Sequence, residues 1–315
     1  MQGFIGKGAR YLLGLSLLLG GIGTQAEELR YQHASGFAPN DSAGATNHLT
    51  ADTTRQASKL VTRGKTYALG MISSKDTPAW GERAFKVEVI GIPLSPTSPA
   101  ISAHDDRWLT HVGIGTQIDG LGHLGIDGKF YGGLESKDFY SADGLTRLGT
   151  EHIPPIATRG VLLDVAGHLG KKRLAPSQAI DAELLKTVAN AQGVAIGRGD
   201  VVLINTGWMS MVEEDPAQFL SVQPGIDLSA ARYLAELGVV AVGADSAALE
   251  VQPSALPSHP YPVHGLLLAN YGVYILENIV TRELAADGTH EFMFVLGQPR
   301  LAGSVQAIIN PVAIR

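Results

Sequence analysis

Gly115-Thr116-Gln117-Ile118-Asp119-Gly120-Leu121-Gly122-His123 sets an amide, a carboxylate and an imidazole within seven residues, on a backbone loosened by glycine. In an extended Gln117–Asp119 segment, residues i and i+2 point to one face, so both polar side chains leave the strand together. The glycines that follow permit a sharp turn, which can return His123 to the same place. Two oxygen donors and an imidazole make half of a metal site with a general base. The other half must come from elsewhere in the chain.

Working outward, Tyr67–Met71 and Phe85–Ile92 read as strands, with a proline- and serine-rich loop from Ile92 to Arg107. Gly128–Gly133 is turn-rich and suits the rim of a pocket. In the second half, apolar runs alternate with helical patterns. Gly160–Ala166, Asp200–Thr206, Val239–Gly243, Val273–Leu276 and Phe292–Leu296 read as buried strands. Thr50-Ala51-Asp52 reads as a helix start that Thr54–Thr62 continues, and the periodicity predicts further helices over Asp181–Gln192, Ser229–Leu237 and His264–Asn270. Such alternation implies one α/β domain.

Strand ends deliver further acids, Asp245 and Glu277, where α/β folds place their chemistry. His264 precedes Glu277 by 13 residues, a span that a helix turning into a strand can close. Taken singly, each of these groups is also a cap or a salt-bridge partner. His259 is near enough in sequence to His264 to line the same pocket. His111 shares strand parity with Gln117 but stands roughly 20 Å away along an extended chain. Trp208, Phe130, Tyr131 and Tyr261 are candidates for an apolar wall around a cyclic or aromatic substrate, or for simple core packing. No Gly-x-Ser-x-Gly elbow and no phosphate-binding Gly-x-x-x-x-Gly-Lys motif is present, which removes the best support for serine-hydrolase or nucleotide chemistry.

Composition narrows the partners. Residues 1–26 read as a Sec signal peptide, with basic Lys7 and Arg10, a short leucine-rich core and small residues before position 27. The domain then spans 27–315, and a periplasmic or secreted location is expected. Without Lys7 and Arg10 the 24 basic residues become 22 against 30 acids, a net charge of −8 with neutral histidine. That acidity argues against nucleic acid or an anionic membrane surface as partner. The expected partner is a small-molecule substrate, and a homo-oligomer is expected. With no cysteine in the chain, a metal must be held by oxygen and nitrogen.

These residues together resemble the cyclase family of metal-dependent hydrolases, which includes bacterial kynurenine formamidase and isatin hydrolase. The landmarks run from Gly44–Thr50 through Gly115–His123, Asp127-Gly128, Tyr131, Arg159–Val165, Gly199-Asp200 and Thr206-Gly207-Trp208 to Val263-His264 and Glu277-Asn278. The resemblance implies a swivelling β/β/α fold, a single domain with a mixed sheet and outer helices. It also implies that Asp119 is a metal ligand, that His123 carries protons, and that His264 and Glu277 match a second ligand block. The family's two further ligand histidines fall on Gly113, which has no side chain, and on Gln117, as in a longer branch carrying Gly-Thr-Gln. One divalent ion held by Gln117, Asp119 and His264, with Glu277 as ligand or neighbouring acid, is the expectation, with zinc first and manganese as the alternative. The implied activity is hydrolysis of a small amide, formamide or lactone, with Trp208, Tyr131, His259 and Asp245 on the substrate side. A binding protein on a degenerate enzyme scaffold, or a cyclase or dehydratase on the same metal, are the alternatives.

Overall fold

The computed structural model describes residues 29–38, 40–91 and 103–315. The expected signal peptide, and the 92–102 part of the expected loop, lie outside the described residues.

Four apolar strands form the centre of a nine-stranded sheet: Ile156–Asp164, Val201–Asn205, Ala241–Ala244 and Tyr274–Glu277, all parallel to one another. The last three are buried at every residue, as strands covered on both faces must be. Antiparallel strands extend the sheet on either side. Glu291–Leu296, Val312–Ile314 and Thr66–Ala68 follow beyond Ile156–Asp164. Gln117–Asp119 and then Gln306–Ile308 follow beyond Tyr274–Glu277. The mixed α/β architecture expected from the sequence is the one that forms.

Helices Ala182–Gln192 and Leu228–Glu236 turn their apolar stripes, including Leu185, Val188, Ala231 and Leu234, into the core. Asp181 and Asp227 cap them by accepting from Leu184 N and Ala230 N, and Gly193 ends the first in a left-handed conformation. Among the described residues, no helix is long and apolar enough to cross a membrane.

Three expectations need correction. The first helix starts at Ala51 as expected, with Thr50 and Thr53 in a reciprocal capping box, but it ends at Ser58 rather than Thr62. The strand expected at Gly160–Ala166 covers Ile156–Asp164, where Asp164 accepts from Gly167 N and starts a helical turn. Part of the expected Ile92–Arg107 loop is instead strand: His104–Thr110 pairs antiparallel with Phe85–Gly91 in a two-stranded ribbon. That ribbon leaves Val89, Trp108 and Leu109 exposed.

Candidate metal centre

The strand Gln117–Asp119 lies between Tyr274–Glu277 and Gln306–Ile308, with Gln117 opposite Glu277 and Asp119 opposite Gln306. Directly opposed residues share a sheet face, so this register alone gathers two amides and two carboxylates. The hydrogen bonds follow from it. Gln117 Nε2 donates to Glu277 Oε2 at 2.7 Å and to Asp119 Oδ1 at 3.2 Å, and Gln306 Nε2 donates to the same Oδ1 at 2.7 Å.

Beyond the strand the chain turns sharply, with His123 N donating to Gly120 O at 3.0 Å. Gly120 is required there, since a Cβ would stand 2.7 Å from the backbone oxygen of Val305. At the strand's other end Gly115 has φ +67°, the left-handed region that glycine adopts freely. The turn carries His123 back to Asp119.

His264 arrives from the opposite direction, on a short helical turn, Pro262–His264, that runs into a π-helix, Gly265–Tyr271. The helix expected at His264–Asn270 thus has looser winding, a form found often at functional sites. Glu250 fixes the start of this element. Its carboxylate accepts from Val263 N and His264 N, each at 3.0 Å, and meets His264 Nδ1 at 2.5 Å. With Nδ1 taken by Glu250, Nε2 is the nitrogen that faces the acids, 3.1 Å from Glu277 Oε1 and 3.4 Å from Asp119 Oδ2. One ligating atom from each of Asp119, His123 and His264 lies within 4.8 Å of the others.

These groups fit a divalent ion. Asp119 Oδ2 is buried without a hydrogen-bond partner, although a buried carboxylate oxygen ordinarily has one. Two ligands about 2.1 Å from one tetrahedral ion stand about 3.4 Å apart, and the spacing of Asp119 Oδ2 and His264 Nε2 is 3.4 Å. Asp119 Oδ1, by contrast, is already saturated by two amide donors.

The electrostatics carry the same message. Burial would raise the Asp119 pKa, but the charges of His123 and His264 and a hydrogen bond from Gln306 hold it at about 2. Burial and then the charge of Asp119 push Glu277 up to about 7. Burial alone would lower His264, yet the carboxylates around its ring, Asp119, Glu250 and Glu277, raise it well above its ordinary value. Burial lowers the His123 pKa, Asp119 works against that, and the charges of His264 and Arg83 add to it. Buried acids in this number demand a cation, and in its absence His264 supplies one.

Of the residues singled out in the sequence, Gln117, Asp119, His123, His264 and Glu277 come together. Gln117 turns its amide N–H to both carboxylates and so orients them. Tyr261 joins this group, its ring edge-on to that of His264 with centroids 5.6 Å apart, and the others make different contacts. Tyr131 is fully buried, with its hydroxyl on Asp41 Oδ2, and is part of the core rather than a pocket wall. Asp245 accepts from Thr206 N and Oγ1 and ties two loops together, and burial raises its pKa to about 6. Trp208 is buried in a small cluster with Met211, Phe219 and Ala247, its Nε1 donating to Phe219 O. His259 is half-buried beside Ser258 Oγ. His111 accepts from Ala84 N and holds the base of the ribbon. Two residues of the centre were not singled out, Glu250 and Gln306. Each is one polar residue in an apolar run, Ala247–Val251 and Val305–Ile309, and that isolation is the only signal either gives.

The family described as "Putative cyclase" matches residues 49–251. The chain belongs to the cyclase family. A crystal structure of a novel cyclase superimposes with a TM-score of 0.81 at 28% identity, covering 91% of this chain and 100% of that one. Isatin hydrolase A from Ralstonia solanacearum gives 0.62 at 20% identity, covering 84% and 97% of the two chains. An isatin hydrolase bound to the product analogue thioisatinate gives 0.60 at 18% identity, covering 84% and 98%, and these two likenesses speak for the fold. A search among curated proteins gives no match.

Proposed function

We propose that this cyclase-family protein is a metal-dependent hydrolase of small amides, formamides or lactones, working on one divalent ion. The observation that carries the reading is Asp119 Oδ2, buried without a hydrogen bond and 3.4 Å from an imidazole nitrogen whose ring is held from behind by Glu250. Asp119, His264 and Glu277 would hold the ion, zinc first and manganese as the alternative given the oxygen-rich set. The fold shared with isatin hydrolases, which act on a cyclic amide, supports an amide or lactone substrate.

A divalent ion bound here supplies Lewis-acid chemistry, polarising a carbonyl and lowering the pKa of water. His123 takes the proton of the attacking water and returns it to the leaving nitrogen or oxygen. Burial keeps its pKa low, so it is neutral and ready to accept at neutral pH. Asp119, anionic at all working pH values, stabilises the imidazolium that then forms. Gln117 and Gln306 hold the two carboxylates in place. One observation favours a second role for His123: its ring nitrogen lies within ligand range of the other two groups. Metal content of His123→Ala separates the roles, since a shuttle leaves the ion bound and a ligand does not.

The reading is tested by turnover of a panel of cyclic amides including isatin, aryl formamides and lactones by zinc- and manganese-loaded protein. Turnover of any one, lost on chelation and restored by metal, supports it. Undiminished turnover by metal-free protein contradicts it. We further propose export by the segment 1–26 and association through the exposed ribbon Phe85–Gly91/His104–Thr110. An isolated two-stranded ribbon is marginal in water, and a second copy covering Val89 and Trp108 would support it.

A further inference from the structure

Between the ribbon and the metal centre lies a cation that the mechanism above does not use. Arg83 is half-buried, and among the described residues its guanidinium hydrogen-bonds to a backbone carbonyl rather than to a carboxylate. It is held in place rather than loose. Its Nη1 donates to Gly113 O at 2.6 Å, its own N–H to Trp80 O at 3.3 Å, and the next residue's N–H to His111 Nδ1 at 3.0 Å. Trp80 is pinned in turn by Nε1 on Leu220 O, against the Trp208 cluster. Gly113, which Arg83 grips, stands beside the centre. A Cβ there would lie 2.4 Å from Gln306 Oε1, and that same amide donates to Asp119. Arg83's charge is felt at both His123 and Glu277, lowering the pKa of each.

A guanidinium offers five N–H donors in a planar fork that matches a carboxylate. The carbonyl of Gly113 engages one nitrogen, which leaves most of the fork unspent. The buried acids of the centre take their hydrogen bonds from His264, Gln117 and Gln306, and Arg83 acts on Glu277 through its charge alone. A positioned guanidinium at the edge of a hydrolytic centre suits an incoming anion.

We propose that Arg83 is the carboxylate anchor of this site, so that the substrate, or the acid that hydrolysis frees, is held by its guanidinium next to the reacting carbonyl. The inference rests on the hydrolase reading. Hydrolysis adds water across the acyl C–N or C–O bond: that bond breaks, the hydroxyl joins the acyl carbon, and the proton passes to the leaving atom. The acid formed ionises at neutral pH, so a carboxylate arises in every turnover. A substrate that already carries one presents the same chemistry earlier.

Benzoate and its neutral isostere benzamide test the assignment, by calorimetry on metal-loaded wild type, Arg83→Gln and Arg83→Lys, with bound metal and melting temperature measured on each. Arg83→Gln is expected to weaken benzoate about tenfold to a hundredfold, with benzamide and metal content unchanged and Arg83→Lys recovering part of the loss. Equal benzoate affinity in wild type and Arg83→Gln, no benzoate binding at all, or an equal loss for benzamide overturns the proposal. Kinetics on a carboxylated formamide and a neutral lactone then distinguish the two sources. A KM rise confined to the carboxylated substrate assigns the substrate's own group, and weakened product inhibition with both assigns the freed acid. If wild type turns over no amide or lactone, the hydrolase reading fails while the benzoate measurement still decides the role of Arg83.

Discussion

Replacing Glu250 by Gln changes one oxygen into an amide nitrogen and is the sharpest test of how the centre is held. The Glu250 carboxylate receives Val263 N–H, His264 N–H and the His264 ring. A glutamine has one acceptor oxygen, so its best rotamer keeps that oxygen on His264 and turns its NH2 toward Val263 N–H. A buried donor then faces a donor. Leaving a buried backbone N–H unsatisfied costs about 1–3 kcal/mol, and the negative charge at the start of the Pro262–His264 turn is lost as well. The ring of His264 keeps a weaker, neutral acceptor behind it, and removal of such an outer carboxylate lowers metal affinity about 10- to 100-fold. Chelator-competition titration of zinc and urea unfolding of the metal-free protein measure the two effects separately. Glu250→Gln should lose about 1–3 kcal/mol of stability and bind zinc about 10- to 100-fold more weakly. An unfolding midpoint and a zinc affinity both within error of wild type would refute the reasoning.

Other outcomes follow from the same geometry. His123→Ala should lower kcat about 10²- to 10⁴-fold while metal content stays at the wild-type level. In metal-free protein Glu277 holds its proton to about pH 7 when folded but releases it near its ordinary value of 4.5 when unfolded. The unfolded state therefore binds fewer protons in that window, and this group's contribution is lost as pH rises. Glu277→Gln should accordingly gain on wild type by up to about 3 kcal/mol between pH 4.5 and 7, and parallel urea curves across that range decide it. Trp108→Lys in the exposed ribbon should lower the mass seen by light scattering at equal concentration, and an unchanged mass would remove the ribbon from the interface.

The sequence carried the centre unevenly. Gln117, Asp119 and His123 were legible because one short strand and a glycine turn join them, so local geometry sufficed. His264 and Glu277 were legible as a pair because 13 residues can close a helix–strand return. What spacing could not supply is register. Gln306 reaches Asp119 only because Gln306–Ile308 adds beside Gln117–Asp119, a pairing 187 residues apart. Glu250 is set behind His264 by loop geometry that no periodicity encodes. The polar strand ends show the opposite failure. Asp164, Asn205 and Asp245 sit where chemistry is expected, yet Asp164 caps a turn, Asn205 links Asp164 to Thr281, and Asp245 ties down Thr206. Of the four parallel strands, the one adjoining Gln117–Asp119 brings its terminal acid, Glu277, into the centre. The π-helical winding after His264 is not distinguishable from ordinary helix in the sequence, because its apolar pattern, Leu266, Leu267 and Leu268, suits either form.

Metal content decides the central claim most directly. Elemental analysis of purified wild type and Asp119→Ala, each dialysed against zinc or manganese and then against metal-free buffer, should give about one ion per wild-type chain and none in the variant. An Asp119→Ala protein that is folded and keeps its full complement of metal, or a wild type that retains none under any loading, would contradict the account.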